Sequence, residues 1–194
     1  AHETADSQRG LGVGAGAKVH SANTASALRS PDGGPENVVA MARKLGIPST
    51  PLDAVPSIAL GSVAVTPIEM ASAYATLAAG GVYSKPMAIT KVVLPNGKVD
   101  TEAGWGSSTR ERVIPDWVAS TVTQVLEQNM LYGTGRGAHI YTHTDAGKTG
   151  TTDNYADPWF SGYAPRLTPT VGVGCPAGRG PVAAGERGRR RGGE

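Results

Sequence analysis

The chain has 194 residues, 39% of them hydrophobic and 5% aromatic, and no apolar run nears the ~20 residues of a membrane span, so it is long enough for one domain with a core or for a piece of a larger one. Its net charge of +2 is uneven: residues 175–194 hold five Arg against two Glu, whereas the preceding residues hold 13 basic and 14 acidic side chains, a neutral body that excludes a nucleic-acid footprint. Cys175 is the only cysteine, which excludes an internal disulfide, and the four His lack ligand spacing, so neither a metal site nor any cofactor is expected.

Residues 1–18 are small, polar and glycine-rich, and "GLGVGAGAK" has neither a helical nor a strand period, so an irregular start is expected. A short helix is predicted over residues 24–29, then a turn at "SPDGG". "PENVVAMARKLG" predicts a helix that begins at Pro35, buries Val38, Met41, Ala42 and Leu45 on one face, and stops at Gly46. "TPIEMASAYATLAAGG" predicts a helix with Thr66 as N-cap, Pro67 at the first helical position, Glu69 completing a capping box, and Gly80-Gly81 at the end. Tyr74 is expected in the core on that helix.

"MAITKVVLPNGKVD" predicts two short strands around a Pro95-Asn96-Gly97 turn. A third helix is expected over residues 115–131, with Val118, Val122, Val125 and Leu126 on its buried side. After the glycines of residues 133–137 the chain reads as strands: "TDAGKTGTT", a turn at Asp153-Asn154, "WFSGYAP" and "TPTVGVG". Trp159, Phe160 and Tyr163 are expected to be core residues rather than substrate contacts. Helices first and strands last, joined by short turns, point to an α+β fold with an antiparallel sheet flanked by helices.

The stretch "DAGKTGTTDN" permits two chemistries. Gly-Lys-Thr ends a phosphate-binding loop, but such a loop needs glycine where Thr142 stands and must run into a helix. Here Gly150, two threonines and Asp153-Asn154 favour a strand and a turn, which excludes that reading. Lys-Thr-Gly instead suits a strand edge that brings a cation and a hydroxyl to a carboxylate, followed by a residue without a side chain. Ser21-Ala22-Asn23, upstream, supplies the Ser-x-Asn that accompanies Lys-Thr-Gly in penicillin-interacting serine enzymes.

Beyond these motifs, "HSANTA", "GPENVVAMARKLGI", "ALGSVAVTPIEMASAYATLAAGGVYSKP", "AITKVV", "GTG" and "AGKTGTTDN…DPWFSGYAP" occur in one order. In that order the chain resembles the transpeptidase domain of class A penicillin-binding proteins, from about Val19 to Gly174. The resemblance implies a partial transpeptidase domain over 19–174, of the penicillin-binding and serine β-lactamase-like fold; the Gly/Arg-rich composition of 175–194 points to a disordered tail. It implies D,D-transpeptidation: an acyl-enzyme formed from the D-Ala-D-Ala end of a peptidoglycan stem peptide is resolved by an amine, and β-lactam antibiotics acylate the same serine.

By the same resemblance Ser21 joins a proton relay, Asn23 donates to a peptide carbonyl, and Lys148 supplies positive potential. Thr149 bonds the substrate carboxylate, Gly150 leaves room for the substrate backbone, the Thr151 N–H is an oxyanion donor, and Thr152 shapes the strand end. The parent protein is expected at the extracytoplasmic face of the bacterial membrane, with an anchor and a glycosyltransferase domain upstream that this chain does not carry. A β-lactamase or D,D-carboxypeptidase would use the same groups with water as acceptor, and a non-catalytic peptidoglycan- or penicillin-binding fragment is the alternative of a different class.

Three features depart from the family pattern. No Ser in the chain has Lys three residues later, so the family's nucleophile motif is absent and the chain alone is expected to be inactive. The segment after "TPTV" lacks the usual aromatic residue and any strand or helix period. Asp145 stands where an apolar residue is usual, which questions the pairing at the start of its strand.

Overall fold

The computed structural model describes residues 34–48, 50–151 and 157–174. The irregular start, the helix of residues 24–29, the Asp153-Asn154 turn and the tail from Cys175 all lie outside the described residues.

The first helix, α1, spans Pro35–Leu45 and ends at Gly46 as its sequence predicts, with Glu36 in its first turn and Arg43 and Lys44 in its last, each complementing the helix dipole. Its apolar face is less buried than expected. Val38, Ala42 and Leu45 are half-buried, while Met41 stays 41% exposed. Inside the fold α1 meets the second helix and a short 3-10 turn at Pro56–Leu60, which cover only part of the stripe.

The second helix, α2 (Pro67–Ala78), carries the predicted capping box in full: the Thr66 hydroxyl accepts from the Glu69 N–H, and the Glu69 carboxylate accepts from the Thr66 N–H. Glu69 does more than cap. It is buried, and its carboxylate also accepts the Thr50 N–H at 3.0 Å and the Thr50 hydroxyl, tying the preceding loop to the helix. At the far end Gly81 has φ +88, and a Cβ there would lie 2.4 Å from the Ile114 carbonyl oxygen. Only glycine lets the chain leave α2 so close to residues 113–114, whose N–H groups reach the Gly81 carbonyl.

Two strands follow that the sequence did not indicate. β1 (Val82–Ser84) pairs antiparallel with β2 (Arg110–Arg112), Tyr83 opposite Glu111. They enclose the segment where two strands were expected. There the Pro95-Asn96-Gly97 turn forms, with the Leu94 N–H reaching the Lys98 carbonyl at 2.8 Å, but strand pairing is limited to a single bridge between Val93 and Val99. Val93 and Val99 are both largely exposed, so no buried face extends that hairpin into a sheet.

The third helix, α3 (Asp116–Tyr132), falls within a residue of its predicted bounds. Leu126 is buried as expected and Val118, Val122 and Val125 are half-buried, but the largest fully buried side chains of the helix are Asn129 and Met130, each 1% exposed. A 3-10 turn at Arg136–Ala138 leads to an antiparallel sheet of β3 (Ala146–Gly150), β4 (Trp159–Tyr163) and β5 (Thr170–Gly172), in that spatial order. Lys148 stands opposite Ser161 and Thr149 opposite Phe160. Both α2 and α3 pack on this sheet, giving the expected α+β arrangement. Among the described residues, no helix is long and apolar enough to cross a membrane.

The core joins both of these helices to the sheet. Leu126, Ala146 and Tyr163 are buried together, with Tyr74, Leu77 and Val122 packed against them. The Tyr74 and Tyr163 rings meet edge to face at 6.2 Å, and the Tyr163 hydroxyl bonds Thr123 at 2.7 Å. Tyr163 is thus core as expected, whereas Trp159 and Phe160 are half-buried. Burial, reinforced by the neighbouring Tyr163, pushes the Tyr74 phenol up to about 12.

Two predictions follow from this packing. Glu69→Ala strands the Thr50 and Thr66 donors, and urea unfolding should show a loss of about 2 kcal/mol, against much less for an exposed carboxylate such as Glu36. A Tyr74 phenol that ionises later in the folded than in the unfolded chain favours folding fully below pH ~10, the free phenol's range, and loses that contribution as pH rises towards 12. Unfolding measured from pH 9 to 12 should therefore show stability falling, with Tyr74→Phe flattening the slope.

Candidate functional site

Along β3, exposure rises in the direction of the chain. Ala146 and Gly147 are buried, Lys148 and Thr149 half-buried, and Gly150 and Thr151 exposed. Among the described residues β3 is an edge strand, paired with β4 alone. The Lys148 ammonium donates to the Thr149 carbonyl at 2.7 Å and lies 3.5 Å from the Thr149 hydroxyl. A cation and a hydroxyl therefore stand together at the open end of an edge strand.

Behind them lies a hydrogen-bond run from α3. The buried Asn129 side-chain N–H donates to the Gly147 carbonyl at 2.7 Å, and its carbonyl oxygen accepts from the Thr134 hydroxyl at 3.1 Å. The Thr149 hydroxyl donates in turn to Thr134 at 2.7 Å. The approach depends on glycine at Gly135, where a Cβ would lie 2.6 Å from the Asn129 amide nitrogen and 2.7 Å from the Met130 sulfur. The "GTG" segment is therefore a packing requirement as well as a turn.

Of the site residues expected from sequence, Lys148, Thr149, Gly150 and Thr151 follow one another at the end of β3. Ser21, Asn23 and Thr152 lie outside the described residues. Asn129 and Thr134 were given no role from sequence. The usable sign for Asn129 was a carboxamide three residues after Leu126 on an apolar helix face, where a buried polar group requires partners. Thr134 offered no such sign, because a hydroxyl between two glycines reads as a turn residue.

The doubt about the pairing at the start of β3 is resolved by a histidine to which the sequence assigns no role. His139 is mostly buried, and its Nδ1 lies 2.6 Å from Asp145 Oδ1. The other Asp145 oxygen accepts the Ile140 N–H at 2.8 Å. Asp145 is therefore buried but fully bonded, and β3 keeps its pairing from Ala146 opposite Tyr163. A pocket of about 430 Å³ opens beside this pair, lined by Glu127, Leu131, His139, Tyr141 and His143. It lies at the opposite end of β3 from Lys148 and Thr149. Among the described residues no group of three or more His, Cys, Asp or Glu is arranged to hold a metal.

A lysine, a threonine and a glycine ending the edge strand of an antiparallel sheet backed by helices are features of the serine acyl-transfer enzymes that react with penicillin. The sequence matches the penicillin binding protein transpeptidase domain family over residues 21–175, and the chain belongs to that family. The class A expectation is borne out. The chain is 37% identical over 158 residues to penicillin-binding protein 1A of Aquifex aeolicus, covering 81% of this chain and 21% of that protein. It is 42% identical over 131 residues to penicillin-binding protein 1A of Mycobacterium tuberculosis, covering 64% of this chain and 16% of the relative. The fold matches the structure of penicillin-binding protein PonA1 of Mycobacterium tuberculosis with a TM-score of 0.77 at 34% identity, over 87% of this chain and 49% of that one. A PonA1 complex with penicillin V matches with a TM-score of 0.75. The chain thus spans about a fifth of the length of these curated relatives and about half of the solved structure.

The Asn129 bridge makes its own prediction. Asn129→Ala removes the donor to a buried carbonyl and opens a void beside Met130, so thermal or urea unfolding should show a loss of about 2–4 kcal/mol. Amide exchange along β3 should accelerate more than exchange in α1.

Proposed function

We propose that this chain forms part of the active site of a D,D-transpeptidase that cross-links peptidoglycan stem peptides, and that β-lactams occupy the same site. The observation that carries the reading is Lys148 and Thr149 side by side at the exposed end of an edge strand, followed by Gly150. An extended peptide can add to such an edge, and its terminal carboxylate needs a cation and a hydroxyl at its end.

In the proposed reaction a serine Oγ attacks the carbonyl carbon of the D-Ala-D-Ala bond. The Thr151 N–H stabilises the oxyanion that forms, Asn23 donates to an amide carbonyl of the peptide, and Ser21 joins the relay that delivers the serine proton to the leaving amine, with Lys148 supplying positive potential and orienting Ser21. The C–N bond breaks and D-Ala departs. An amine of a neighbouring strand then attacks the acyl-serine ester, forming the cross-link and returning the serine. Thr149 holds the substrate carboxylate, and Thr152 shapes the strand end. No Ser in the chain has the Lys three residues later that the family's nucleophile needs, so the acylated serine is supplied from outside these 194 residues. On this reading the parent protein works at the extracytoplasmic face of the membrane, with an anchor and a glycosyltransferase domain in the same polypeptide.

Labelling with a fluorescent penicillin, followed by denaturing electrophoresis, tests the proposal. The 194-residue chain should take no covalent label, whereas a form extended upstream to include Ser-x-x-Lys should label. Thr149→Val in the extended form should slow labelling about tenfold, the effect of one hydrogen bond to a charged group. Label on the chain alone would overturn the placement of the nucleophile, and an extended form that stays unlabelled would overturn the function.

A further inference from the structure

The geometry points to Thr134 as a positioning residue that controls where the Thr149 hydroxyl sends its proton, an inference resting on the carboxylate-binding role proposed above for Thr149. The argument runs through donors and acceptors. The Asn129 amide nitrogen must face the Gly147 carbonyl at 2.7 Å, because the amide turned over would set two oxygens against each other. That fixes the Asn129 oxygen towards Thr134. A carboxamide oxygen only accepts, so the Thr134 hydroxyl gives it its single proton. Thr134 is left with a lone pair facing Thr149 at 2.7 Å, and Thr149 donates there. The Thr149 proton is thereby turned back towards the Thr134 loop.

A carboxylate also only accepts. For Thr149 to bind one, its proton must leave Thr134. Thr134 then turns its own proton from Asn129 to the Thr149 oxygen, and the direction of the run reverses: Thr134 hydroxyl to Thr149 hydroxyl to carboxylate, each bond polarising the next. The Lys148 ammonium, 3.5 Å from the Thr149 oxygen, adds positive charge on the same side. Two hydroxyls 2.7 Å apart, with an amide fixed behind them, thus have one arrangement directed back to Asn129 and another suited to an anion.

The test uses the 194-residue chain in solution, with N-acetyl-D-Ala-D-Ala and its C-terminal amide as probes. Thr134 is exposed, so Thr134→Val should leave the fold intact, and Thr134→Ala provides a second, smaller replacement. Without ligand, NMR couplings should show Thr149 in one side-chain rotamer in the wild type and in Thr134→Ser, and averaging in Thr134→Val. In titrations followed at the Gly150 amide, Thr134→Val should weaken the carboxylate peptide about five- to tenfold and leave the amide unchanged, with Thr134→Ser within twofold of wild type. A single Thr149 rotamer in Thr134→Val, or equal weakening of both peptides, overturns the inference. A wild-type chain that does not distinguish carboxylate from amide overturns the proposed role of Thr149, while the rotamer measurement still decides the role of Thr134.

Discussion

The candidate site depends on one buried amide. Asn129, 1% exposed, ties the end of α3 to the second residue of β3 by donating to the Gly147 carbonyl. A buried carbonyl left without a donor costs on the order of 1–3 kcal/mol, so this bond sets helix and strand relative to each other. Its geometry reaches further than its energy. With the nitrogen committed to Gly147, the oxygen must face Thr134, and the "GTG" turn must come close enough to meet it. Gly135 permits that approach, and Met130 fills the space between Gly135 and Gly147. One side chain thereby holds Thr134 of the turn against Thr149, two residues further along the strand than Gly147.

The rest of the fold anchors β3 at its start and leaves its end open. Ala146 is buried with Leu126 and Tyr163, and Tyr74 of α2 closes the cluster from the other helix. Ahead of it, Asp145 is bonded by His139 and by the Ile140 N–H, so the loop before the strand is held by a carboxylate where a hydrophobic contact was expected. Glu69 does similar work at the start of α2, where one carboxylate caps the helix and secures Thr50. In both places a buried anion is tolerated because backbone N–H groups and hydroxyl or imidazole groups surround it. None of these contacts involves Gly150 or Thr151, which remain exposed.

The parts legible in the sequence are those governed by local chemistry. The Thr66-Pro67-Glu69 box located α2, the apolar spacing located α3, and the order of threonine-rich and aromatic runs gave the antiparallel β3, β4 and β5. The β1–β2 pair was not legible, because Arg-Glu-Arg has no apolar alternation and its partner lies across the intervening hairpin segment. The His139–Asp145 pair is not legible for a different reason: the two side chains lie six residues apart, and the loop must turn back before the imidazole and the Ile140 N–H reach the carboxylate. Lys148 and Thr149 were legible because their pattern is short and contiguous, whereas Thr134 acquires its partner only when α3 and β3 meet.

The glycines around the site divide into two kinds, and the division bears on function. At Gly135 and Gly147 a side chain would collide with Met130, Asn129 or Phe160, so the fold itself demands glycine. Among the described residues, an added Cβ at Gly150 would meet only Trp159 Cβ at 3.5 Å, an ordinary contact, and the backbone lies outside the left-handed region. Neither packing against those residues nor conformation explains that glycine. It stands at the exposed end of an edge strand, directly after a lysine and a threonine whose polar atoms lie together. On the proposed function, an extended peptide laid against that edge supplies the reason, since glycine in a strand suits a place where another backbone approaches closely.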